Sequence, residues 1–182
     1  MKKIKLMLVA VLLMPAMFLF NGCDTVENLE TLPLNIPMSF NFAMSGSTFP
    51  ITQIENYCLE DNPTYNDFKN KIDSISFVEM SARIDTLSSN TLVADVMVKL
   101  ETASGVLLYS YTQSSVALAQ WKTTPFTFAL SAADIMLIDN FLRAIGQRCL
   151  KATATVSNIT GGTAPYKVGL KVDVLLRAKA KL

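Results

Sequence analysis

Apolar and polar residues alternate along most of this chain, the period of strands that bury one face. Leu34, Ile36, Met38, Phe40, Phe42 and Met44 alternate with Asn35, Pro37, Ser39, Asn41, Ala43 and Ser45, and Gly46 ends the segment. Pro37 has no backbone N–H, which suits an edge strand or a strand start. A second apolar segment over 51–59 carries Cys58. Asp61-Asn62-Pro63 predicts a turn, with a short helix to about Asn70. The stretch 72–87 reads as one strand with an irregularity, and Ser88-Ser89-Asn90 as the turn after it. Leu92, Ala94, Val96, Val98 and Leu100 then alternate with Val93, Asp95, Met97, Lys99 and Glu101. The spacing predicts a hairpin from these two strands. Gly105 turns the chain into 106–111, and shorter apolar stretches follow at 116–121 and 126–130.

The period changes once. Ser131 is a good N-cap, Asp134 sits three positions later near the positive end of the helix dipole, and Ile135, Ile138, Phe141, Leu142 and Ile145 share a face. An amphipathic helix over 131–145 is predicted, with Arg143 near its end, Gly146 as its stop, and an open end or edge of the sheets beneath it. Alternation then resumes through Leu150, Ala152, Ala154 and Val156. After Gly161-Gly162, the last strand has Val168, Leu170, Val172, Val174, Leu176, Ala178 and Ala180 on one face and Lys167, Lys171, Asp173, Arg177, Lys179 and Lys181 on the other. These two final strands are expected to pair as a hairpin. Seven to nine half-buried strands need a second apolar layer. The fold expected is mainly β, an immunoglobulin-like or related β-sandwich over 34–182 with one amphipathic helix.

The first residues differ in kind. Lys2, Lys3 and Lys5 precede an apolar run over 6–20, broken by Pro15 and followed by Asn21, Gly22 and Cys23. The run is shorter than the roughly 20 residues of a bilayer span and suits an export signal. With Phe20-Asn21-Gly22-Cys23 in the position of a lipobox, it resembles the signal peptide of bacterial lipoproteins. Gly22 and Cys23 match that pattern; Phe20 and Asn21 depart from it. The resemblance implies that 1–22 is removed and that Cys23 is acylated and anchors the protein to a membrane at about 0.8 kcal/mol per buried methylene. Ordinary secretion and an uncleaved anchor are the other readings of the segment. Residues 23–33 then form an acidic tether. Asp24 directly after the cysteine resembles the inner-membrane retention signal of enteric bacteria, whereas Asp24, Glu27 and Glu30 together resemble the acidic stretch that directs Bacteroidota lipoproteins to the surface; the outer membrane or cell surface is expected over the inner membrane. An outer-membrane barrel shares the period of two, but these strands are irregular in length and interrupted by a helix. Asp24-Thr25-Val26, Asp73-Ser74-Ile75 and Asp85-Thr86-Leu87 resemble the short O-glycosylation sequence of the same bacteria.

Without residues 1–22 the chain carries 13 Lys+Arg against 15 Asp+Glu, a net charge of −2, which gives no reason to expect nucleic acid as a partner. Cys58 and Cys149 remain, and export would place them where a disulfide persists. One intramolecular pairing is open to them; two buried thiols are the alternative.

The chain has no histidine, which excludes a Ser-His-Asp or Cys-His device and any histidine-ligated metal site. No phosphate-cradling glycine motif occurs, and no cofactor or metal is expected. Glu60 with Asp61 and Asp134 with Asp139 are the evident carboxylate pairs; capping and a solvated turn are the plainer roles. Asp61, Asn62 and Asp67 offer oxygen ligands without the spacing of a calcium loop. Tyr109, Tyr111 and Trp121 are candidates for a sugar-stacking platform, Tyr109 and Tyr111 being on one strand face; core packing is the alternative. The basic face of the last strand suits acidic headgroups or polysaccharide, or is a solvated face that blunts an edge. The function expected is a non-catalytic, lipid-anchored binding or structural module of the cell envelope, its partner an envelope protein, a glycan or an apolar ligand. A carrier of lipid and a carboxylate-based hydrolase are the alternatives.

Overall fold

The computed structural model describes residues 31–144, 146 and 148–182. Pro33–Ala180 forms one compact unit. Its strands are β1 (Thr31–Gly46), β2 (Ile51–Cys58), β3 (Ile72–Leu87), β4 (Val93–Thr102), β5 (Leu107–Ala117), β6 (Phe126–Thr127), β7 (Cys149–Thr160) and β8 (Tyr166–Lys181). Its helices are α1 (Pro63–Phe68), α2 (Leu118–Thr123) and α3 (Ala132–Arg143), with a 3-10 turn at Leu59–Asp61. Two four-stranded sheets form, one in the order β1-β8-β3-β6 and one in the order β2-β7-β4-β5. The described residues therefore form a mainly β sandwich of eight strands.

The alternation places the core as the sequence predicts. Ile36, Met38, Phe40, Phe42 and Met44 of β1 are buried, as are all even positions of β8 from Val168 to Ala180. From the other sheet come Ala94, Val96, Val98 and Leu100 of β4 and Leu150, Ala152, Ala154 and Val156 of β7, in one contiguous cluster. At about 25 cal/mol per Å2 of apolar surface, each large side chain here contributes roughly 1.5–3 kcal/mol. β1 is an edge strand, consistent with Pro37. It begins at Thr31, inside the stretch expected as a tether.

Two expected pairings are corrected. β3 and β4 do not form a hairpin, because β3 lies in the first sheet and β4 in the second. Nor do β7 and β8 pair: β7 sits between β2 and β4, and β8 between β1 and β3. Alternation shows which face of a strand is buried and does not name its neighbour. The connections 47–50, 88–92 and 161–165 instead cross the sandwich, and β4–β5 is the consecutive pair that does form a hairpin. Ser88 N–H donates to Lys167 O at 3.0 Å and Lys167 N–H to Ser88 Oγ at 3.2 Å. The Thr91 hydroxyl donates to Gly161 O, and the rings of Phe49 and Tyr166 lie 5.3 Å apart.

The helix is shorter than expected at its C-terminal end. Ser131 and Asp134 form a reciprocal capping box, and Ile138 and Leu142 are fully buried. Ile145, also expected on that face, lies outside the described residues. The helix packs against β3 of one sheet and β5 of the other, so it covers one open side of the sandwich. The register of β3 on β8 slips between Phe77 and Glu79, and the Asp139 carboxylate accepts from Phe77 N–H there at 2.7 Å. A helical side chain thus satisfies a donor at the bulge. Leu118–Thr123 forms α2 where only an apolar stretch over 116–121 is expected. β5 runs on to Ala117 through exposed Thr112, Gln113, Ser114 and Ser115, an edge on which no alternation marks a strand.

Gly161 has φ +79°, and a Cβ there would lie 2.9 Å from the carbonyl carbon of Thr91 and closer still to its oxygen. Gly161→Ala is expected to lower stability by about 2–3 kcal/mol, read as a lower urea midpoint by the fluorescence of Trp121, the single tryptophan. Cys58 and Cys149 are disulfide-bonded across a sequence separation of 91. The double substitution Cys58→Ser/Cys149→Ser is expected to remove about 4.5 kcal/mol in the chain-entropy account, with an unchanged circular-dichroism spectrum at low urea.

Candidate functional site

The disulfide joins residues directly opposite one another on β2 and β7, with Cα atoms 3.8 Å apart. Leu59 N–H donates to Arg148 O at 2.9 Å. That pair is hydrogen-bonded, so the cysteines occupy the neighbouring non-hydrogen-bonded position, where opposed residues approach more closely. Beside it, Asn62 is a buried hub. Its Oδ1 caps α1 by accepting from Tyr65 N–H at 3.1 Å, and its Nδ2 donates to Pro37 O at 2.7 Å. Arg148 lies over the Tyr65 ring, 5.2 Å from its centroid, and its Nε is 3.5 Å from Glu60 Oε1. The β2 end is thereby tied to α1 and to β1.

This arrangement places the predicted carboxylates. Glu60 pairs with Arg148, while Asp61 is exposed. Asp134 is held by Ser131, whose hydroxyl donates to it at 2.6 Å. The side-chain bond and then the Ser131 N–H hold the Asp134 carboxyl below the ordinary carboxylate range. Asp139 accepts from Phe77 N–H and pairs with Arg143 at 3.3 Å. The Asn62 amide of the Asp61, Asn62, Asp67 set is engaged in capping and in the bond to β1. Among the described residues, no three His, Cys, Asp or Glu side chains gather as metal ligands.

Tyr109, Tyr111 and Trp121 do come together, around two phenylalanines not singled out from sequence. Trp121 stacks on Phe126 at 4.7 Å and 15°. Tyr111 lies 5.1 Å from Phe126 and 5.0 Å from Phe128, and Tyr109 meets Phe128 edge-on. Tyr109 and Trp121 are each 5% exposed, so their faces serve the core; Tyr111 is half-buried. Burial raises the phenols of Tyr109 and Tyr111, and Asp134 adds to the rise at Tyr109. An open stacking platform of three rings is not what this geometry presents. The clustering follows from β6, a two-residue strand that brings Phe126 onto β3 and Phe128 N–H to Met80 O at 3.0 Å.

The first sheet's outer face carries a feature that the sequence marks only by a glycine inside an otherwise regular strand. Gly169 faces outward on β8 opposite Thr86, at a register slip. Two adjoining hollows of about 190 and 200 Å3 share Ala43, Thr86 and Gly169. Asn41, Ser45, Asp85 and Lys167 contribute a polar rim. A Cβ on Gly169 would stand 3.1 Å from Thr86 Cβ, so the hollow and the slip share one cause. Each hollow is below the roughly 300 Å3 of an ordinary ligand pocket. Thr86 of the Asp85-Thr86-Leu87 sequence lines the hollow, and Ser74 of Asp73-Ser74-Ile75 is exposed on β3. Cys23, the preceding signal segment and Asp24-Thr25-Val26 lie outside the described residues.

On the second sheet's outer face, Asp95 joins three strands. It accepts from Ser115 N–H on β5 at 2.8 Å and from Asn158 Nδ2 on β7 at 2.7 Å. Ser115 and Asn158 have φ of 55° and 51°, and the register slips beside Asp95 on both neighbours. The Asn158 amide first, then the Ser115 N–H, hold the Asp95 carboxyl below its ordinary range.

No family model matches this chain, and no curated protein does. Among solved structures, a chain of Desmodium yellow mottle tymovirus is 9% identical, covering 84% of this chain and 89% of its own, with a TM-score of 0.40. A chain of mud crab tombus-like virus is 11% identical, covering 85% and 84%, with a TM-score of 0.41. One of turnip yellow mosaic virus is 8% identical, covering 83% and 94%, with a TM-score of 0.35. Likeness at this level carries no argument about what this protein does.

The Asp95 geometry makes a pH prediction. A carboxyl whose folded pKa is depressed contributes stability above its unfolded value of about 3.9, and that contribution is lost as pH falls through the folded pKa. In urea titrations from neutrality to about pH 2, Asp95→Asn is expected to lose less stability on acidification than the parent protein. Equal acid sensitivity would count against Asp95 as a junction.

Proposed function

We propose that this protein is a non-catalytic, lipid-anchored binding or structural module of the bacterial cell envelope, held to the membrane through Cys23. The observation that carries this reading is the N-terminal sequence: three lysines, a short apolar run, then Gly22-Cys23. The disposition of the carboxylates supports its non-catalytic part. A hydrolase of the carboxylate type needs two acids across a cleft; here Glu60, Asp134, Asp139 and Asp95 each accept hydrogen bonds that hold elements of the fold. The contiguous core between the sheets favours a surface-binding role over carriage of an apolar ligand. The acidic residues Asp24, Glu27 and Glu30 favour the outer membrane or cell surface.

Acylation is the test. In a bacterial host fed labelled palmitate, the parent chain is expected to take up label and to fractionate with membranes, and Cys23→Ala to lose the label. A mature protein whose intact mass contains no acyl group would overturn the anchor. Protease added to intact cells distinguishes the faces: digestion with a periplasmic control intact supports surface display, and protection until lysis removes it.

A further inference from the structure

The charge on the first sheet is unevenly placed along its length. The three crossing connections 47–50, 88–92 and 161–165 contain no charged residue. At the opposite end, Lys69 and Lys71 lead into β3, whose first residue, Ile72, is opposite Ala180 of β8. Lys179 and Arg177 follow on the outward face, opposite Ser74 and Ser76. Lys69, Lys71, Arg177 and Lys179 are all exposed. None of the four takes part in an ion pair among the described residues. Of the acids at this end, Asp73 already has a partner, Glu60 is paired with Arg148, and Asp61 and Asp67 are exposed on the same connection that carries Lys69 and Lys71.

The same end receives the chain from Cys23. The Ser39 hydroxyl donates to Asp173, while Met44 lines the hollow with Val168. As β1 advances from Ser39 to Met44, β8 thus retreats from Asp173 to Val168. The same progression, followed backwards, brings Pro33 level with Lys179. Pro33 lies ten positions after Cys23, and even fully extended a span of ten positions reaches no more than about 35 Å.

We propose that Lys69, Lys71, Arg177 and Lys179 form a second membrane contact, an electrostatic foot that rests this end of the sandwich on an anionic lipid surface. This rests on the anchor reading above and adds an orientation to it. A lipid chain confines the domain near the bilayer, and a nearby basic patch is the second signal that fixes how it meets the surface. A surface at about −30 mV favours each positive charge by about threefold, within a Debye length of contact. The uncharged crossing connections then face away from the membrane.

The test uses the full acylated chain on phosphatidylcholine vesicles with and without phosphatidylglycerol. Amine labelling of individual lysines is read by mass spectrometry. Labelling of Lys69, Lys71 and Lys179 is expected to slow by about threefold or more on the anionic vesicles. The slowing should disappear in high salt, and Lys99 and Lys122 should be unaffected. Arg177→Gln/Lys179→Gln, at two exposed positions, should remove the slowing at Lys69 and Lys71. Equal rates on both vesicles overturn the proposal, as does equal slowing on neutral and anionic vesicles relative to the protein without vesicles, which would show that the shielding does not depend on lipid charge. Intact mass reports acylation separately. For a chain found without acyl groups, salt-sensitive co-sedimentation with the anionic vesicles, lost in the double variant, supports the foot without the anchor; no co-sedimentation overturns it.

Discussion

Everything in this protein depends on covering two apolar sheet faces with one another. The inward positions of β1, β8 and β3 find those of β7 and β4 in a single cluster. Neither sheet can keep its hydrocarbon from water alone. The chain meets that requirement by sending successive strands to alternate sheets, so most connections run across the sandwich. The glycines at 161 and 162 are consequences of this. A Cβ at Gly162 would lie 2.6 Å from Leu92 Cδ2, because two crossing connections occupy the same space.

The open sides of the sandwich are closed by polar devices as much as by apolar ones. α3 lies over one side and is fastened by Asp139 to the Phe77 bulge. On the other side, Asn62 reaches from the α1 cap to Pro37, and the disulfide fixes the end of β2 beside it. On the outer face of the second sheet, Asp95 joins three strands at their bulges. In each case a single side chain satisfies backbone donors or acceptors that the ladders leave over, and leaving such groups buried without partners costs about 1–3 kcal/mol each.

Much of this was legible in the sequence. The faces of β1, β4 and β8 follow from alternation, and the capping box from Ser131 and Asp134. Pairing was not legible, since the same alternation in 72–87 and 92–100 serves a hairpin or two strands in different sheets. Nor were the junctions: Asp95, Asn62 and Asp139 are ordinary polar residues until the residues they touch are known, 20 to 63 positions away for Asp95. Phe126 and Phe128 fall in a short apolar stretch with no period of its own, since β6 is two residues long. Tyr109, Tyr111 and Trp121 pack through Phe126 and Phe128, a contact that the spacing of the three residues along the chain does not reveal.

The neighbour relation of β1 and β8 has a consequence for the order of assembly. The first described strand pairs with the last, and β2 pairs with β7, so each sheet closes only through partners more than a hundred positions apart along β1–β8 or nearly so along β2–β7. The chain therefore has high contact order, and a nascent segment ending before β7 carries two strands with no β-partner from either of those pairs. Such topologies fold slowly, because loop-closure entropy must be overcome before any non-local pairing is formed. Until β8 is available, β1, with Ile36, Met38, Phe40, Phe42 and Met44 on one face, remains a substrate for chaperones and a hazard for aggregation.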